Sequence, residues 1–432
     1  MLAQAFSALA PADILVIGDY FLDIYTFGVA KRISPEAPVA VIQAQKEEQR
    51  AGGAGNVVLN LLALGARVRA AGRLGDDIAG KSLRYLLEQA GGDVAALIVD
   101  SSIPTGIKNR IIAAGQQVVR IDHEKVLPLP HFLEQQVIDS LELLLADIAL
   151  IAVSDYGKGY LTTPLLQALF SQAKSRGIPV IVDPKGTDFS CYRGATLIKP
   201  NRAESYLAAR LPSSAPLEQA AAELLQVTDA EALLITCSED GMALFSPQEQ
   251  PRYFPVRVRQ IKDVTGAGDT VLATVSLAVA NGLSFEAGAQ LANIAAGIAI
   301  EQVGCTTVSL ALLAERLLEL DEGNKIFDGG HLFILQAALQ GKAIAVLSLG
   351  ELEKLEAAVL RQIHSVKMQT QSHVLIWWSP KVATASEVRF LASLKDANYI
   401  LLADRSAEPF CRAVAPASLF DWDAAAASFY SV

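Results

Sequence analysis

The segment Asp263-Val-Thr-Gly-Ala-Gly-Asp269 combines two glycines with a carboxylate at the start of a predicted helix, and it is the strongest chemical signal in this 432-residue chain. The glycines permit a tight turn and a close approach of the backbone to a ligand. The amides of Gly266, Ala267 and Gly268 can then point together at an anion, helped by the helix dipole. Because a carboxylate is otherwise unfavourable in an anion site, we predict that Asp269 takes a proton from a hydroxyl that attacks a bound phosphate. The alternative role for Asp269 is that of a helix cap.

Short apolar runs alternate with longer helical stretches on the N-terminal side of this segment. The runs predict strands at residues 14–17, 148–153, 180–182, 196–198 and 233–236, and the stretches predict helices at 56–64, 80–90, 132–145, 163–176 and 217–225. Continuous β-branched runs are typical of parallel strands that are covered on both faces. The alternation therefore predicts an α/β fold, with helices on both faces of a parallel sheet.

Residues 25–43 and 103–122 do not follow this alternation of buried strands and helices, because polar and apolar residues alternate within them. They also carry several cations, namely Lys31, Arg32, Lys108, Arg110 and Arg120. We predict an antiparallel flap over the edge of the main sheet. A solvated hairpin without a functional role is the alternative.

A second α/β pattern begins after a predicted helix at residues 310–320. Its predicted strands are residues 343–347, 373–378 and 399–402, and its predicted helices are 330–339, 352–366 and 386–394. We therefore expect two domains, at residues 1–318 and 319–432.

Composition excludes several classes of protein. The net charge is −10 and no block of like charges reaches five, so we expect no nucleic-acid partner. No uncharged stretch is longer than the 16 residues of 270–285, which is too short to cross a bilayer. We expect a cytoplasmic protein without a membrane partner. The four cysteines form no CxxC pair, which favours reduced thiols over a zinc site or disulfides.

The segment 263–269 resembles the signature of the ribokinase-like sugar kinases, in spite of a variation at Val264-Thr265. The resemblance implies that Asp269 is the catalytic base and that Gly266, Ala267 and Gly268 form the anion hole for the transferred phosphoryl group. Gly18-Asp19 and Gly52-Gly53-Ala-Gly-Asn56 resemble the N-terminal signature of the family. There, the residues at Asp19, Gly52, Gly53 and Asn56 hold the sugar hydroxyls, although a plain helix-initiating turn would also account for the glycines. The implied fold is a ribokinase-like three-layer sandwich with a small β flap.

The same resemblance extends to the nucleotide-binding motifs of the family. Asn201-Arg202-Ala203-Glu204 resembles the family motif N-x-x-E, which implies ATP phosphates near Asn201 and Mg²⁺ ordered through water by Glu204. A surface helix N-terminus is the alternative. Thr236, Ser238 and Gly241 resemble the nucleotide loop only loosely, because Ser238 replaces a glycine. The family contacts adenine at the position of Asn293, and some members bind a monovalent cation, K⁺, at the positions of Asp263 and Thr265.

Four further segments narrow the resemblance: Arg32-Ile-Ser-Pro-Glu-Ala-Pro38, Ser154-Asp-Tyr-Gly-Lys-Gly159, Val182-Asp-Pro-Lys-Gly186 and Pro200-Asn-Arg-Ala-Glu204. Together they are similar to the heptose 7-phosphate kinase half of bifunctional ADP-heptose synthases, over about residues 11–310. The implied reaction is ATP-dependent phosphorylation of the anomeric hydroxyl of D-glycero-D-manno-heptose 7-phosphate to the 1,7-bisphosphate, in ADP-heptose and lipopolysaccharide core biosynthesis.

A sugar that already carries a phosphate needs a cationic clamp at its far end. The candidates are Lys108 and Arg110, followed by Lys185, Arg32 and Lys158. Asp155 and Asp183 follow predicted strands, where open parallel sheets bind ligands, and are candidates for orienting sugar hydroxyls or metal-bound water. We also expect a homodimer. The alternatives are a kinase for another sugar or sugar phosphate, and a non-catalytic sugar-phosphate sensor or scaffold.

The second domain resembles a degenerate, Rossmann-like nucleotidyltransferase. The family motif is G-x-F-D-x-x-H-x-G-H, whereas this chain reads Phe327-Asp328-Gly-Gly-His331, so three residues are missing and the first histidine is one of them. The later family motifs K-G-x-D-Y and S-T-T are also absent. We expect this domain to be inactive and retained for folding, dimerisation or regulation. A separate nucleotidyltransferase would then be needed for the later pathway step.

Overall fold

The computed structural model describes residues 2–247, 249–256, 261–302, 304–320, 325–350, 352, 355, 357–379, 385–403, 406–414 and 417–431. Its contacts divide the chain into two compact units. One unit comprises residues 8–309, and the other comprises residues 310–432 together with the first seven residues. The expected boundary after residue 318 falls within a helix, Leu310–Leu320, which belongs as a whole to the second unit.

The strands alternate with helices through both units. The strands are β1 (Asp13–Gly18), β2 (Tyr20–Ile33), β3 (Ala40–Gly53), β4 (Arg67–Leu74), β5 (Asp93–Val99), β6 (Gly106–Ala113), β7 (Gln116–His123), β8 (Leu150–Ser154), β9 (Val180–Asp183), β10 (Leu197–Ile198), β11 (Ala232–Thr236), β12 (Met242–Phe245), β13 (Arg252–Phe254), β14 (Ile326–Asp328), β15 (Ile344–Gly350), β16 (His373–Trp378), β17 (Tyr399–Leu402), β18 (Ala417–Asp423) and β19 (Ser428–Ser431).

The helices are α1 (Leu2–Ser7), α2 (Ala54–Ala63), α3 (Ile78–Gln89), α4 (His131–Leu144), α5 (Thr163–Arg176), α6 (Arg202–Ala208), α7 (Leu217–Thr228), α8 (Ala267–Ala280), α9 (Phe285–Ile300), α10 (Leu310–Leu320), α11 (Leu332–Leu339), α12 (Ala357–Thr370), α13 (Ala385–Ser393) and α14 (Glu408–Ala413). Local chemistry fixes several of their ends. Thr162 accepts a hydrogen bond from the amide of Leu165 at the start of α5, and Gly177 ends that helix in the left-handed conformation. None of the described helices has both the length and the apolar character that a bilayer crossing requires.

The main sheet of the first unit has the strand order β13-β12-β11-β10-β9-β8-β1-β4-β5. Neighbouring strands are parallel from β11 to β5. At the other edge, β12 pairs antiparallel with both β11 and β13. The chain leaves β1 towards β4 on one side and later returns to β8 on the other, so the strand order reverses at β1. Ligands of open α/β sheets bind at the carboxyl ends of the strands beside such a reversal, and this places Asp19 at the expected position.

The predicted flap is a separate four-stranded sheet with the order β3-β2-β6-β7. Strand β2 pairs antiparallel with β3 and parallel with β6, and β6 pairs antiparallel with β7. The flap is therefore a mixed sheet, and the prediction of an antiparallel flap is wrong for the β2–β6 pair. Strands β2 and β3 are exposed near their shared turn and buried near Tyr20 and Gly53, where they join the main sheet and α2. The flap therefore begins at the site that the sheet forms and extends away from it.

The second unit contains a six-stranded sheet with the order β14-β17-β16-β15-β18-β19, parallel except for β19. The N-terminal helix α1 belongs to this unit and packs against α10 and α11. Phe6 is fully buried there, with its ring centroid 5.7 Å from that of Phe333. The expected smaller α/β region is present, and its fold includes the first residues of the chain.

We expect the Phe6→Ala substitution to destabilise the second unit by about 3–5 kcal/mol, because it removes a fully buried aromatic side chain. The three tryptophans of the chain, Trp377, Trp378 and Trp422, all lie in this unit. Tryptophan fluorescence during urea unfolding therefore reports on it. The matched control is Phe390→Ala, since Phe390 is about half exposed in the same unit. An unfolding transition that Phe6→Ala leaves in place would contradict the assignment of α1.

Candidate functional site

Asp19 follows β1 directly and is buried at the point where the strand order reverses. Its Oδ2 accepts hydrogen bonds from the backbone amides of Tyr156 and Lys158, both at 2.9 Å. Burial raises the pKa of Asp19 above its ordinary value in spite of these bonds. The carboxylate is thus held by neutral donors from the loop after β8, and its remaining lone pairs can accept hydrogen bonds from ligand hydroxyls.

The glycines at the end of β3 bring the backbone close to Asp19. Gly53 has a φ of 58°, and a Cβ atom there would lie 2.6 Å from the carbonyl oxygen of Asp19. A Cβ atom on Gly52 would lie 2.4 Å from Oδ2 of Asp23 and from the ring of Phe21. No side chain fits at either position without displacing the groups around the site. The chain then enters α2, whose first turn carries Asn56.

Asp269 lies in the first turn of α8 and is buried. Asn56 Nδ2 donates to its Oδ2 at 2.9 Å, and the Tyr156 hydroxyl donates to its Oδ1 at 2.7 Å. Burial raises the pKa of Asp269 to about 7, although both hydrogen bonds act to lower it. The carboxyl group can therefore exchange a proton near neutral pH, which suits a general base. Tyr156 lies in the segment 154–159, but no motif in the sequence distinguishes it as a donor to Asp269.

The three amides of the predicted anion hole lie at the N-terminus of α8, at its N-cap and its first two residues. Gly266 is the N-cap of α8 and has a φ of 79°, and its missing Cβ leaves room for Asn56 Nδ2, which would otherwise lie 2.7 Å away. The amide of Ala267 donates to the carbonyl oxygen of Val264 over 3.3 Å. This bond is long, so an anion at the helix N-terminus can replace it at little cost.

Sequence reasoning missed a buried cation beside the N-terminus of α8. Lys199 is almost fully buried, and its Nζ lies 2.9 Å from Oδ1 of Asp183. A Cβ atom placed on Gly268 would lie 3.5 Å from Lys199 Nζ and 3.9 Å from Asp183 Oδ2. The ammonium group is thus next to the amides at the start of α8. The sequence feature that could have indicated Lys199 is its position directly before Pro200 and the N-x-x-E motif.

Asp155 and Asp183 lie at the ends of neighbouring strands, β8 and β9, as expected for residues at one sheet edge. Asp155 Oδ2 accepts a hydrogen bond from the Tyr192 hydroxyl at 2.7 Å, and burial raises the pKa of Asp155 to about 6. Burial also raises the pKa of Asp183, against the opposing effect of Lys199. Asp19, Asp155, Asp183 and Asp269 therefore form an acidic cluster in which the pKa of each group is raised.

Glu204 and Asn201 form a capping box at the start of α6: Glu204 Oε2 accepts from the Asn201 amide at 3.0 Å, and Asn201 Oδ1 accepts from the Glu204 amide at 2.9 Å. Glu204 Oε1 also pairs with Lys185 Nζ at 2.7 Å. Because each carboxylate oxygen has a second lone pair, Glu204 can still accept a hydrogen bond from metal-bound water. Oxygen donors of this kind, acting through water, fit Mg²⁺.

The other predicted nucleotide residues lie around β11, β12 and α9. Asn201 forms a β-bridge with Thr236, which joins the capping box to this region. Ser238 takes a positive φ of 50°, and a Cβ on Gly241 would lie 1.9 Å from the carbonyl oxygen of Phe254. Arg202 pairs with Asp240 at 2.6 Å, and Ala203 lies between Arg202 and Glu204 in the first turn of α6. Asn293 Nδ2 donates to the carbonyl oxygen of Pro255 at 2.9 Å.

Asp263 stabilises the loop that precedes α8. Its Oδ1 accepts hydrogen bonds from the amide and the hydroxyl of Thr265, at 2.9 and 2.7 Å, and its Oδ2 accepts one from the amide of Gly304 at 2.8 Å. Burial acts to raise the pKa of Asp263, but these hydrogen bonds outweigh it and the pKa lies below its ordinary value. The carboxylate is therefore ionised, as a cation ligand must be, while it also ties residues 263–265 to residue 304.

The five candidate clamp cations differ in their environments. Arg110 is buried in an ion pair with Asp23, and Lys185 pairs with Glu204. Lys158 Nζ lies 2.6 Å from a carboxylate oxygen of Glu124. Arg32 lies on the exposed part of β2, and no described contact joins it to the site. Lys108 is the remaining candidate for the clamp. Its ammonium lies 3.9 Å from the ring centroid of Phe21 and 5.3 Å from that of Tyr156, beside the site.

Two bifunctional proteins are similar to this chain over most of its length. The chain is 43% identical to the bifunctional protein HldE of Trichlorobacter lovleyi over 351 residues, which cover 80% of this chain and 72% of that protein. It is 46% identical to HldE of Geobacter sulfurreducens over 308 residues, which cover 71% of this chain and 63% of that protein.

Two solved structures share the fold at low sequence identity. The phosphofructokinase-2 of Escherichia coli in complex with potassium is 19% identical and has a TM-score of 0.61, covering 72% of this chain and all of that chain. The ribokinase of Arabidopsis thaliana complexed with ribose and ATP is 20% identical and has a TM-score of 0.58, covering 71% and 99%. The expected ribokinase-like α/β fold is confirmed. Since residues 11–311 also match the description "pfkB family carbohydrate kinase", the chain belongs to the pfkB family of carbohydrate kinases.

Proposed function

We propose that the chain phosphorylates the anomeric hydroxyl of D-glycero-D-manno-heptose 7-phosphate with ATP, as a step towards ADP-heptose and lipopolysaccharide core. The observation that carries the proposal is the buried Asp269 carboxyl group at the N-terminus of α8, with a pKa near neutrality and with Lys199 beside it. The choice of sugar is supported by the motifs shared with heptose 7-phosphate kinases and by the similarity to bifunctional HldE proteins.

Each group then has a role in the transfer. Asp269 accepts the proton of the anomeric hydroxyl while that oxygen forms a bond to the γ-phosphorus of ATP, and the bond from this phosphorus to the leaving ADP oxygen breaks. Asn56 and Tyr156 keep the carboxylate oriented through their hydrogen bonds. The amides of residues 266–268 and the ammonium of Lys199 stabilise the negative charge on the transferred group. Asp19 accepts hydrogen bonds from sugar hydroxyls.

ATP would lie between α6 and the N-terminus of α8. Asn201 and Glu204 at the start of α6 would hold the metal-bound water, and Mg²⁺ when bound would neutralise charge on the phosphates. Lys185 would keep Glu204 in place through their ion pair. The ionised carboxylate of Asp263, together with Thr265, would bind K⁺.

A homodimer would cover the flap. The outer parts of its strands expose several large apolar side chains, which are costly to leave in water: Val29, Ile33, Val39, Val118, Val119 and Ile121. A second flap carries the same apolar surface, so pairing of two flaps about a twofold axis would bury both.

The second unit would not transfer nucleotides. His331 Nδ1 lies 2.8 Å from Oδ1 of Asp328, within a short turn at the end of β14. The histidine thus serves the local turn, in a motif that lacks three residues. We propose that the later nucleotidyl transfer is done by a separate enzyme.

The substrate is tested by coupled ATP-consumption assays on purified full-length protein. We expect turnover of D-glycero-D-manno-heptose 7-phosphate and a much lower kcat/KM for fructose or ribose. The Asp269→Asn variant should bind ATP and sugar phosphate but lose roughly 10²–10⁴-fold in kcat, because the base is absent. Turnover of ribose or fructose without turnover of the heptose phosphate would overturn the choice of sugar, and near-normal turnover by Asp269→Asn would overturn the choice of base.

The Tyr156→Phe variant tests whether the hydrogen bond from Tyr156 lowers the pKa of Asp269. Asp269 must be ionised to accept a proton, so kcat/KM should rise with pH through about 7 in the wild type. Loss of the Tyr156 hydrogen bond raises the pKa of Asp269, so this limb should move to higher pH, by on the order of one unit. Tyr192→Phe is the control, since Tyr192 donates to Asp155 instead. An acid limb that is the same in wild type and Tyr156→Phe would contradict the assignment.

The proposed inactivity of the second unit is tested with heptose 1-phosphate and either ATP or CTP. We expect no nucleotide-activated heptose by mass spectrometry of the reaction mixture, because the histidine motif is incomplete. An intact bifunctional relative serves as the positive control. Formation of ADP-heptose by the purified chain would refute the proposal.

A further inference from the structure

Arg73 is a buried cation that lies behind the candidate site of the first unit. It is the penultimate residue of β4, and its side chain is only 3% exposed. Burying a charge is unfavourable unless other groups compensate for it. The guanidinium Nη2 donates to the carbonyl oxygens of Leu127, at 2.7 Å, and of Lys158, at 3.0 Å. The ion pair with Asp100 is longer, at 3.3 Å, so the shortest contacts of Arg73 are with the backbone of other segments.

Asp100 supplies the charge that compensates Arg73. Its Oδ1 accepts hydrogen bonds from the amide and the hydroxyl of Ser102, at 2.9 and 2.6 Å, and its Oδ2 pairs with Arg73. Burial acts to raise the pKa of Asp100, but the hydrogen bonds from Ser102 and the charge of Arg73 outweigh it, and the pKa lies below its ordinary value. The carboxylate is therefore ionised at neutral pH. It holds the guanidinium group in a position from which Nη2 reaches the backbone.

The loop after β8 contacts two functional carboxyl groups of the site. The amides of Tyr156 and Lys158 donate to Asp19, both at 2.9 Å, and the Tyr156 hydroxyl donates to Asp269 at 2.7 Å. The carbonyl group of Lys158 accepts a hydrogen bond from Arg73. Because the amide and the carbonyl group of Lys158 are both engaged, this residue links Arg73 directly to the position of Asp19.

A second contact joins the end of this loop to the segment that follows β7. Gly159 has a φ of 91°, and a Cβ atom on it would lie 2.2 Å from the carbonyl oxygen of Leu127. The amide of Leu129 donates to the carbonyl oxygen of Gly159 at 2.8 Å. Arg73 donates to both of the segments that meet here, at Leu127 and at Lys158. The guanidinium group therefore fixes the loop after β8 against a second stretch of backbone.

We propose that Arg73 is a positioning residue for phosphoryl transfer. By holding the carbonyl group of Lys158, it keeps the loop after β8 in the conformation in which two amides meet Asp19 and the Tyr156 hydroxyl meets Asp269. Arg73 acts through this loop and not on the substrate. No sequence motif indicates the role, because it depends on carbonyl groups of residues that are distant in the chain. The proposal rests on the proposed function for the reaction that the two carboxyl groups serve.

The Arg73→Met variant tests the proposal through the pH profile, since methionine keeps much of the side-chain volume and removes the donors. A looser loop weakens the hydrogen bond from Tyr156 to Asp269 and so raises the pKa of Asp269. The acid limb of kcat/KM should therefore move to higher pH, by about half a unit to one unit. The other groups that act on this pKa stay in place, namely Asn56, Asp183 and Lys199.

The two Michaelis constants of Arg73→Met should separate. We expect KM for the sugar to rise about 5- to 20-fold, because the amides that orient Asp19 are displaced, and KM for ATP to change by less than about twofold. An acid limb at the wild-type pH would overturn the proposal, as would an unchanged KM for the sugar.

Arg69→Met is the matched control, because Arg69 lies on the same strand and has the same kinds of partner. It pairs with Asp93 at 3.3 Å and donates to the carbonyl oxygen of Leu144, at the end of α4, at 2.7 Å. These contacts lie towards the amino end of β4, whereas the site lies at the carboxyl ends of the strands. Arg69→Met should lower the melting temperature and leave the acid limb and both KM values unchanged. An equal shift of the limb in Arg69→Met and Arg73→Met would refute a specific role for Arg73.

A double variant keeps the proposal testable if Arg73→Met does not fold. The single substitution leaves Asp100 as a buried carboxylate without its cation, which is strongly unfavourable. Arg73→Met combined with Asp100→Asn removes the contact to the loop without leaving that charge. It should show the same shift of the acid limb. A folded double variant with a wild-type acid limb would overturn the proposal.

Hydrogen exchange followed by mass spectrometry separates this proposal from the proposed function, because it needs no substrate. In the ligand-free protein, the amides of Tyr156 and Lys158 should exchange about 10-fold faster in Arg73→Met than in the wild type, since their hydrogen bonds to Asp19 open more often. Arg69→Met should leave these rates unchanged. If the chain phosphorylates a different sugar, the heptose assignment fails, but the faster exchange should remain. If heptose 7-phosphate is the substrate and Arg73→Met exchanges like the wild type, the positioning role fails and the proposed function stands.

Discussion

The arrangement of the candidate site in the first unit depends on the burial of one carboxyl group, that of Asp269. A buried carboxylate in a direct ion pair would have a low pKa and would be a poor base at neutral pH, whereas one without any partner would stay protonated. In this protein two neutral donors, Asn56 and Tyr156, contact the carboxyl group of Asp269 directly. The nearby Lys199 is paired with Asp183, and the charges of these two groups act in opposite directions on the pKa of Asp269. These donors come from α2 and from the loop after β8, so the base depends on the packing of α8 against elements on both sides of the strand reversal.

Ion pairing divides the charges near the site into two groups. Asp23 is paired with Arg110, Asp183 with Lys199 and Glu204 with Lys185, and these pairs fix the surrounding framework. Asp19, Asp155 and Asp269 instead receive hydrogen bonds from amides, hydroxyls or a side-chain amide. Groups of the second kind keep their capacity for further hydrogen bonds, and burial raises the pKa of each of them. This division separates residues that position the site from residues that can exchange protons or bind hydroxyls, which the sequence alone does not separate.

The sequence predicted the parts of the fold that depend on local patterns. The buried runs that form β1, β8 and β11 and the two segments of the flap were all recognisable, because short continuous or alternating apolar runs are typical of strands. Strand β4 was missed, since Arg67, Arg69 and Arg73 interrupt its apolar pattern. The structure neutralises each of them with an aspartate, Asp13, Asp93 or Asp100. Such pairing joins residues that are distant in the chain, so periodicity cannot indicate it.

The same reasoning accounts for the partial predictability of the candidate site. Motifs indicate residues whose spacing is local, such as Gly266 and Asp269, but the donors to Asp269 are more than 100 residues away from it in the chain. The clamp shows this most clearly. Charge alone favoured Arg110 as much as Lys108, and the two residues lie only two positions apart on the same strand. Arg110 meets a buried carboxylate and Lys108 meets an aromatic ring, so only Lys108 keeps its charge available for a ligand. On this strand, the cation without an acidic partner among the described residues is therefore the better candidate for binding the phosphate of the substrate.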